Sequence, residues 1–176
     1  EQACAVRACW AAENEEALKG TIRAISHAGR YCDGEENASY TGALLSRPKY
    51  LHVASHAILS SLPGGAVAQH NLSRFWRNAA MFPFVSQAHW FLSQMQRWDM
   101  IGEMDIAALA ARVYRPDLYR AALAPLALPV PVADAKPEGA HATPWSLAAA
   151  PAPIAMDPDS FCDGAVYDAE KAALPF

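Results

Sequence analysis

The sequence predicts a mostly helical segment of an α/β protein that ends in an extended arm. Apolar residues recur at helical spacing over most of the first 123 residues. Only residues 2–7, a short apolar run, have the character of a buried strand. Residues 125–158 are rich in Ala and Pro and cannot hold a regular helix or a central strand. A lone strand needs a sheet, so we expect its partners in a part of the protein beyond this sequence.

Length and composition bound the function. A chain of 176 residues is one domain or a piece of a larger one. Hydrophobic residues make up 53% and charged residues 18%, which indicates that some apolar surface contacts something absent here. A net charge of −4 predicts no direct binding of nucleic acid. No apolar run is long enough to span a membrane. The start at Glu1, without Met or signal peptide, predicts a fragment whose true start lies upstream.

The cysteines leave two interpretations open. The spacing of Cys4 and Cys9 fits neither a zinc knuckle nor a redox pair, and Cys32 and Cys162 stand alone. An even number of cysteines in an exported protein could form disulfides. We expect buried free thiols instead, which would favour the cytoplasm.

The first helices follow from caps and periodicity. Asn14 is predicted to cap a helix that carries Glu15 and Glu16 in its first turn and ends at Asp33. Its predicted apolar face is Leu18, Ile22, Ile25, Gly29 and Cys32. Further helices are predicted over residues 36–46, before Pro48, and over residues 54–62, before Pro63.

The second half of the chain begins with a helix opened by Pro83. Its predicted apolar face is Val85, Ala88, Phe91, Leu92, Met95 and Trp98. Two short helices are expected next, over residues 105–113 and from Pro116 onward. The Ala/Pro-rich stretch is a disordered linker or an arm laid over the domain, and its apolar anchors Trp145, Leu147 and Ile154 favour the arm. We therefore divide the chain into residues 1–126 and an extended arm, residues 127–176.

No arrangement of side chains predicts chemistry. His52 and His56 have the spacing of metal ligands on a helix, but no Glu, Asp or Cys nearby completes a site, so we expect surface or packing histidines. Glu13, Glu15 and Glu16 form a solvated turn. The sequence has no nucleophile elbow and no phosphate-binding loop. It therefore predicts no catalytic residue, metal or cofactor.

Several segments of the chain carry a family pattern. The most specific is residues 82–92 (FPFVSQAHWFL), preceded by RFW at residues 74–76. The others are residues 1–10 (EQACAVRACW), 30–37 (RYCDGEEN), 45–51 (LSRPKYL) and 161–168 (FCDGAVYD). Together these segments resemble the nitrate- and bicarbonate-binding proteins of ABC transporters. That family's proteins are roughly twice this length, so the chain resembles a C-terminal half.

The resemblance implies a type II periplasmic-binding-protein fold, in which two α/β lobes enclose the ligand. It implies a protein without a catalytic step that binds nitrate, nitrite or bicarbonate and delivers it to the permease subunits of a transporter, in the periplasm or at the inner membrane. Some relatives are cytoplasmic nitrate sensors that hold an antiterminator protein, which is the alternative function. An enzyme on the same fold, of the kind that makes the thiamine pyrimidine precursor, is a third possibility.

Two residues are candidates for ligand binding. The resemblance places Gln2 where nitrate binders carry an anion-contacting Lys. An amide can donate a hydrogen bond to an oxyanion, but it supplies no positive charge. His89 flanks Trp90 and could face the cleft, although a packing role is the alternative. Closure of the cleft around the anion would be the mechanism.

Overall fold

The structure is a computed structural model that describes residues 4–64 and 73–169. Its internal contacts divide the chain into two compact units. One unit comprises Glu1–Gly20 with Phe82–Phe176, and the other is Thr21–Met81. The predicted boundary after residue 126 stays a prediction.

The described residues are predominantly helical, as predicted. The α-helices are α1 (Ala8–Glu13), α2 (Glu15–Cys32), α3 (Ala38–Leu45), α4 (Ser55–Leu59), α5 (Val85–Arg97), α6 (Ile106–Val113) and α7 (Pro116–Leu123). Short 3-10 turns cover Glu35–Asn37, Arg77–Ala79 and Ala124–Leu126. The Asp105 carboxylate caps α6 by accepting a hydrogen bond from the Ala108 amide at 2.9 Å. Each predicted helix is present, α4 in a shortened form, whereas α1 was not predicted.

The Ala/Pro-rich segment forms short strands rather than helix. The strands are β1 (Val130–Pro131), β2 (Trp145–Leu147), β3 (Ala149–Ala150) and β4 (Ile154–Met156). Strand β1 pairs antiparallel with β3, and β2 pairs antiparallel with β4. Leu147 and Met156 are buried, while Trp145 and Ile154 are half-buried. Extended backbone in this region agrees with the composition.

The predicted buried strand over residues 2–7 is wrong for its described part. Residues 4–7 have no regular structure and are exposed, and α1 begins directly after them. An extended segment needs a neighbouring strand to satisfy its backbone groups, and no strand of the described residues pairs with it. The expectation of buried thiols is also wrong at three positions. Cys4, Cys9 and Cys162 are exposed, and all four cysteines are free.

The unit Thr21–Met81 packs around Ala38, Ile58 and Leu62, with Leu45, Leu59 and Phe75 against them. Helix α2 buries most of the face that was predicted, since Leu18 and Gly29 are buried and Ile22 and Cys32 are half-buried. The prediction is wrong at Ile25, which is 40% exposed, while the neighbouring Ser26 is 1% exposed. Small residues are needed on this face because a Cβ at Gly29 would lie 2.2 Å from the Met81 Cε. The close approach of Met81 therefore requires small side chains, rather than large apolar ones, on this side of α2.

The other unit packs around an aromatic cluster. The Phe82 ring meets Phe84 edge-on at 4.7 Å between centroids and Tyr119 at 5.6 Å. Phe84 and Leu123 are fully buried beside them. The predicted apolar face of α5 is wrong at two positions, since Phe91 is 42% and Trp98 65% exposed. The buried positions of α5 are Ala88, as predicted, together with Ser86, His89 and Ser93.

Candidate functional site

The amino-terminal segment carries the first candidate residue. Gln2 lies outside the described residues, two positions before the first of them, and stays a prediction. The described chain continues as exposed residues 4–7 into α1, where Arg7 is the capping residue with extended dihedral angles. Val6 is 47% exposed and Trp10 39% exposed. This end of the chain therefore presents apolar side chains that its own unit leaves uncovered.

His89, the second candidate, lies on the buried side of α5. The residue is 9% exposed, and its Nδ1 shares a short hydrogen bond with the Tyr167 hydroxyl. Burial lowers the pKa of His89, which favours the uncharged imidazole. Burial raises the pKa of Tyr167, against the opposing effect of a hydrogen bond with Ser93. A buried imidazole whose uncharged form is favoured is a weak partner for an anion, and the role of His89 as a ligand stays a prediction.

A polar face of α5 joins the helix to the Ala/Pro-rich segment. Ser86, His89 and Ser93 repeat at helical spacing and are all buried. The Ser86 hydroxyl donates to the Glu138 Oε1 at 2.8 Å and accepts from the Lys136 amide at 3.2 Å. Glu138 and Tyr167 also exchange backbone hydrogen bonds of 2.7 and 2.8 Å. Small polar residues on α5 therefore specify the path of the following segment.

A cluster of charges completes this contact. The Lys136 Nζ lies 2.5 Å from the Glu138 Oε2 and 3.6 Å from the Asp159 Oδ2. The lysine side chain is 8% exposed and the glutamate side chain 13% exposed. Asp159 in turn accepts the His141 amide at 2.8 Å, and the His141 ring stacks on Trp145 at 3.7 Å. Every charge has a partner of opposite sign, as buried charges require.

This charge cluster holds the fold and does not suit a bound anion. It contains two carboxylates against one lysine, so an additional anion would be repelled. The start of α5 is also occupied, because the Val85 amide donates to the Asp134 carbonyl at 2.8 Å. This cluster was not predicted from the sequence, although Lys136 and Glu138 lie two residues apart in an extended segment and so share one side of the chain.

The unit Thr21–Met81 contains a second buried anchor that the sequence analysis read only as a helix end. The Asp33 side chain accepts hydrogen bonds from the amides of Phe75, Trp76 and Arg77 at 3.0, 2.7 and 2.7 Å. The Arg77 guanidinium donates to the Asp33 carbonyl at 2.5 Å. Two segments that carry the family resemblance, residues 30–37 and 74–76, are thereby tied together by one carboxylate.

Residues 4–64 and 73–169 lack two further features. No three His, Cys, Asp or Glu side chains in these ranges are arranged to hold a metal ion. No helix within them is long and apolar enough to cross a membrane.

Comparison with known proteins confirms the sequence resemblance. The nitrate/nitrite-binding protein NrtA of Synechococcus elongatus is 30% identical over 131 residues, which is 69% of this chain and 30% of that protein. The nitrate import ATP-binding protein NrtC of the same organism is 26% identical over 69% of this chain and 19% of its own length. No family model matches. The chain spans about 30% of the length of the curated nitrate/nitrite-binding relatives it matches.

The fold class is confirmed by a solved structure. The crystal structure of the periplasmic nitrate-binding protein NrtA from Synechocystis superposes with a TM-score of 0.73 at 23% identity. The match covers 97% of this chain and 44% of that one. The chain therefore has the fold of a segment of a periplasmic binding protein.

Proposed function

We propose that this chain, a relative of the nitrate/nitrite-binding proteins, is part of a solute-binding protein that binds nitrate or nitrite for an ABC transporter. The observation that carries the proposal is the sequence relationship, 30% identity over 69% of the chain to a nitrate/nitrite-binding protein. The relationship to a nitrate import ATP-binding protein supports a role in import. The proposal follows these relatives rather than the alternative of a sensor that holds an antiterminator protein.

The proposed mechanism is cleft closure without a chemical step. An anion that contacts donors from both lobes stabilises the closed state by its higher affinity for that state. Gln2 would contribute an amide donor from this chain. Lys136 pairs with Glu138 and Asp159, and this cluster would only support the surrounding fold. The positive charge that the family takes from Lys at the position of Gln2 would come from elsewhere or be absent.

Permease subunits would be the protein partners, and the periplasm or the outer face of the inner membrane would be the location. The relatives are named as binding and import proteins, and the crystallised one as periplasmic. We therefore propose that the chain acts as a non-enzymatic binding component, with bicarbonate as the alternative anion.

The test is a thermal-shift titration of the protein as it is encoded, with any residues that flank this sequence. Nitrate, nitrite, bicarbonate and sulfate would be compared at equal ionic strength. An anion at 100 times its dissociation constant stabilises the folded state by about 2.7 kcal/mol. A shift with nitrate or nitrite alone supports the proposal. The absence of a shift with all four anions would refute it.

The role of Gln2 is tested by restoring the family's positive charge. Gln2→Lys should tighten nitrate binding, because a charge-assisted hydrogen bond replaces a neutral one. Ala24→Lys is the matched control, since it adds the same charge at an exposed position of α2. Equal nitrate affinity in the Gln2→Lys protein and the wild type would remove Gln2 from the site and leave the rest of the proposal in place.

A further inference from the structure

The unit Thr21–Met81 differs in charge from the chain as a whole. Its residues include six cationic and three acidic side chains, a net charge of +3, although the whole chain carries −4. One of the three acids, Asp33, is 5% exposed and already accepts three backbone amides. The positive charge of this unit is therefore opposed mainly by Glu35 and Glu36.

Two of the cations stand in the turn between α3 and α4, residues 46–54. This turn is built by its own backbone. The Tyr50 amide donates to the Arg47 carbonyl at 2.9 Å, and the Leu51 amide donates to the Leu45 carbonyl at 3.0 Å. His52 takes a left-handed conformation with φ of 52°. Because these bonds order the backbone in advance, binding through the turn loses little conformational entropy.

The side chains of the turn point into solvent. Tyr50 is 50% exposed, Leu51 58% and Val53 46%. Arg47 and Lys49 are exposed beside them, and the Lys49 Nζ lies 5.8 Å from the centre of the Tyr50 ring. Residues 47–53 thus present exposed apolar side chains beside two exposed cations, and we call this segment the basic turn.

The composition of the basic turn fits a lipid surface better than a protein partner. The residues that dominate protein interfaces are enriched in Tyr and Arg, whereas Leu and Val, the types of the two exposed aliphatic side chains here, are under-represented among them. Tyrosine favours the level of the lipid headgroups, and aliphatic side chains gain by insertion among the acyl chains. Arginine and lysine are attracted to anionic lipids.

We propose that the basic turn docks this protein on an anionic membrane surface, with Arg47 and Lys49 at lipid phosphates and Leu51 and Val53 inserted. The contact is peripheral and separate from anion binding. It would hold a binding protein close to a membrane-embedded partner.

The test is co-sedimentation of the protein with vesicles of phosphatidylcholine alone and with 30% phosphatidylglycerol. We expect binding to the anionic vesicles that weakens at high salt, because exposed charges are screened. Each cation near the surface contributes about 1 kcal/mol, or about fivefold in the vesicle partition coefficient. The double variant Arg47→Gln with Lys49→Gln should therefore lower that coefficient about 30-fold. Leu51→Ser with Val53→Ser should lower it at least about tenfold, and about 100-fold if both side chains insert fully, by removing the inserted apolar surface.

The control pair, Arg7→Gln with Arg112→Gln, removes two exposed cations outside Thr21–Met81 and should change binding less than about twofold. Circular dichroism melts would show that each variant is folded. An equal loss for both cation pairs would overturn the proposal, since binding would then follow net charge. Binding to inner membranes but not to protein-free vesicles would also overturn it and would indicate an acidic protein partner.

Discussion

Replacing Asp33 with Ala should destabilise the unit Thr21–Met81 more than any surface substitution. The Asp33 side chain is the acceptor for three consecutive backbone amides at 2.7 to 3.0 Å. Asp33 is 5% exposed, so water cannot easily replace the carboxylate. An orphaned buried donor costs about 1–3 kcal/mol, and the three donors together should cost about 3–5 kcal/mol after partial relaxation. Asp33→Asn keeps one acceptor and should cost about 2 kcal/mol.

The matched control for this substitution is Asp163→Ala. Asp163 accepts one backbone amide, from Ala165 at 2.9 Å, but it is exposed, and water can take over the bond. Its loss should therefore cost less than about 1 kcal/mol.

The assay is urea unfolding followed by tryptophan fluorescence, in which Trp76 reports directly on the segment that Asp33 holds. A fall in midpoint at constant slope measures the loss of stability. If the losses of unfolding free energy in Asp33→Ala and Asp163→Ala differed by less than about 1 kcal/mol, the three hydrogen bonds to Asp33 would not stabilise the unit as argued.

Three further predictions each compare residues of the same type in different surroundings. Gly139→Ala should destabilise by more than about 2 kcal/mol. Its φ is +83°, and a Cβ there would lie 2.6 Å from the Phe161 ring and 2.7 Å from the Ala165 carbonyl oxygen. Gly102→Ala is the control, because a Cβ at Gly102 would meet nothing within 4 Å. Equal melting temperatures for the two variants would contradict this reasoning. Trp98→Ala should cost less than about 1 kcal/mol and Trp90→Ala about 2–3 kcal/mol, measured by urea unfolding. Trp98 is 65% exposed while Trp90 stacks on a phenyl ring, so the reverse order would be inconsistent with the packing. Burial, with a smaller effect of Asp33, raises the pKa of the Cys32 thiol. A thiol reagent at pH 8 should therefore modify the three exposed cysteines quickly and Cys32 slowly. Four equal rates would show that Cys32 is as accessible and reactive as the others.

Local signals predicted the helices well because they act within a few residues. The carboxylate of Asp105, the proline at position 116 and the break before Pro48 each act on the adjoining turn, and each marks a helix end in the structure. Extended backbone in the Ala/Pro-rich segment followed from the same local chemistry. The segment resemblance also predicted the fold class, which the superposition on a periplasmic nitrate-binding protein confirms.

Periodicity predicted the buried faces less well, because it weighs hydrophobicity and not contact. Ile25 and Phe91 are exposed, while Ser26 and Ser86 are fully buried. Ser26 lies on the small-residue face of α2, and Ser86 bonds to the chain 52 residues later. The groups that contact Ser26 and Ser86 lie far away in the sequence, so they cannot be inferred from the spacing of residues along one helix.

The sequence by itself determined most of the helical and extended segments, apart from residues 2–7 and helix α1, and it showed which family this chain resembles. Only the tertiary structure decided what its polar residues do. Asp33 accepts hydrogen bonds from amides 42 to 44 residues away, and Lys136 forms ion pairs with both Glu138 and Asp159 within one unit. The physical reason is range: a cap or a turn is a property of neighbours in sequence, whereas the pairing of a buried charge depends on which distant group the fold places beside it.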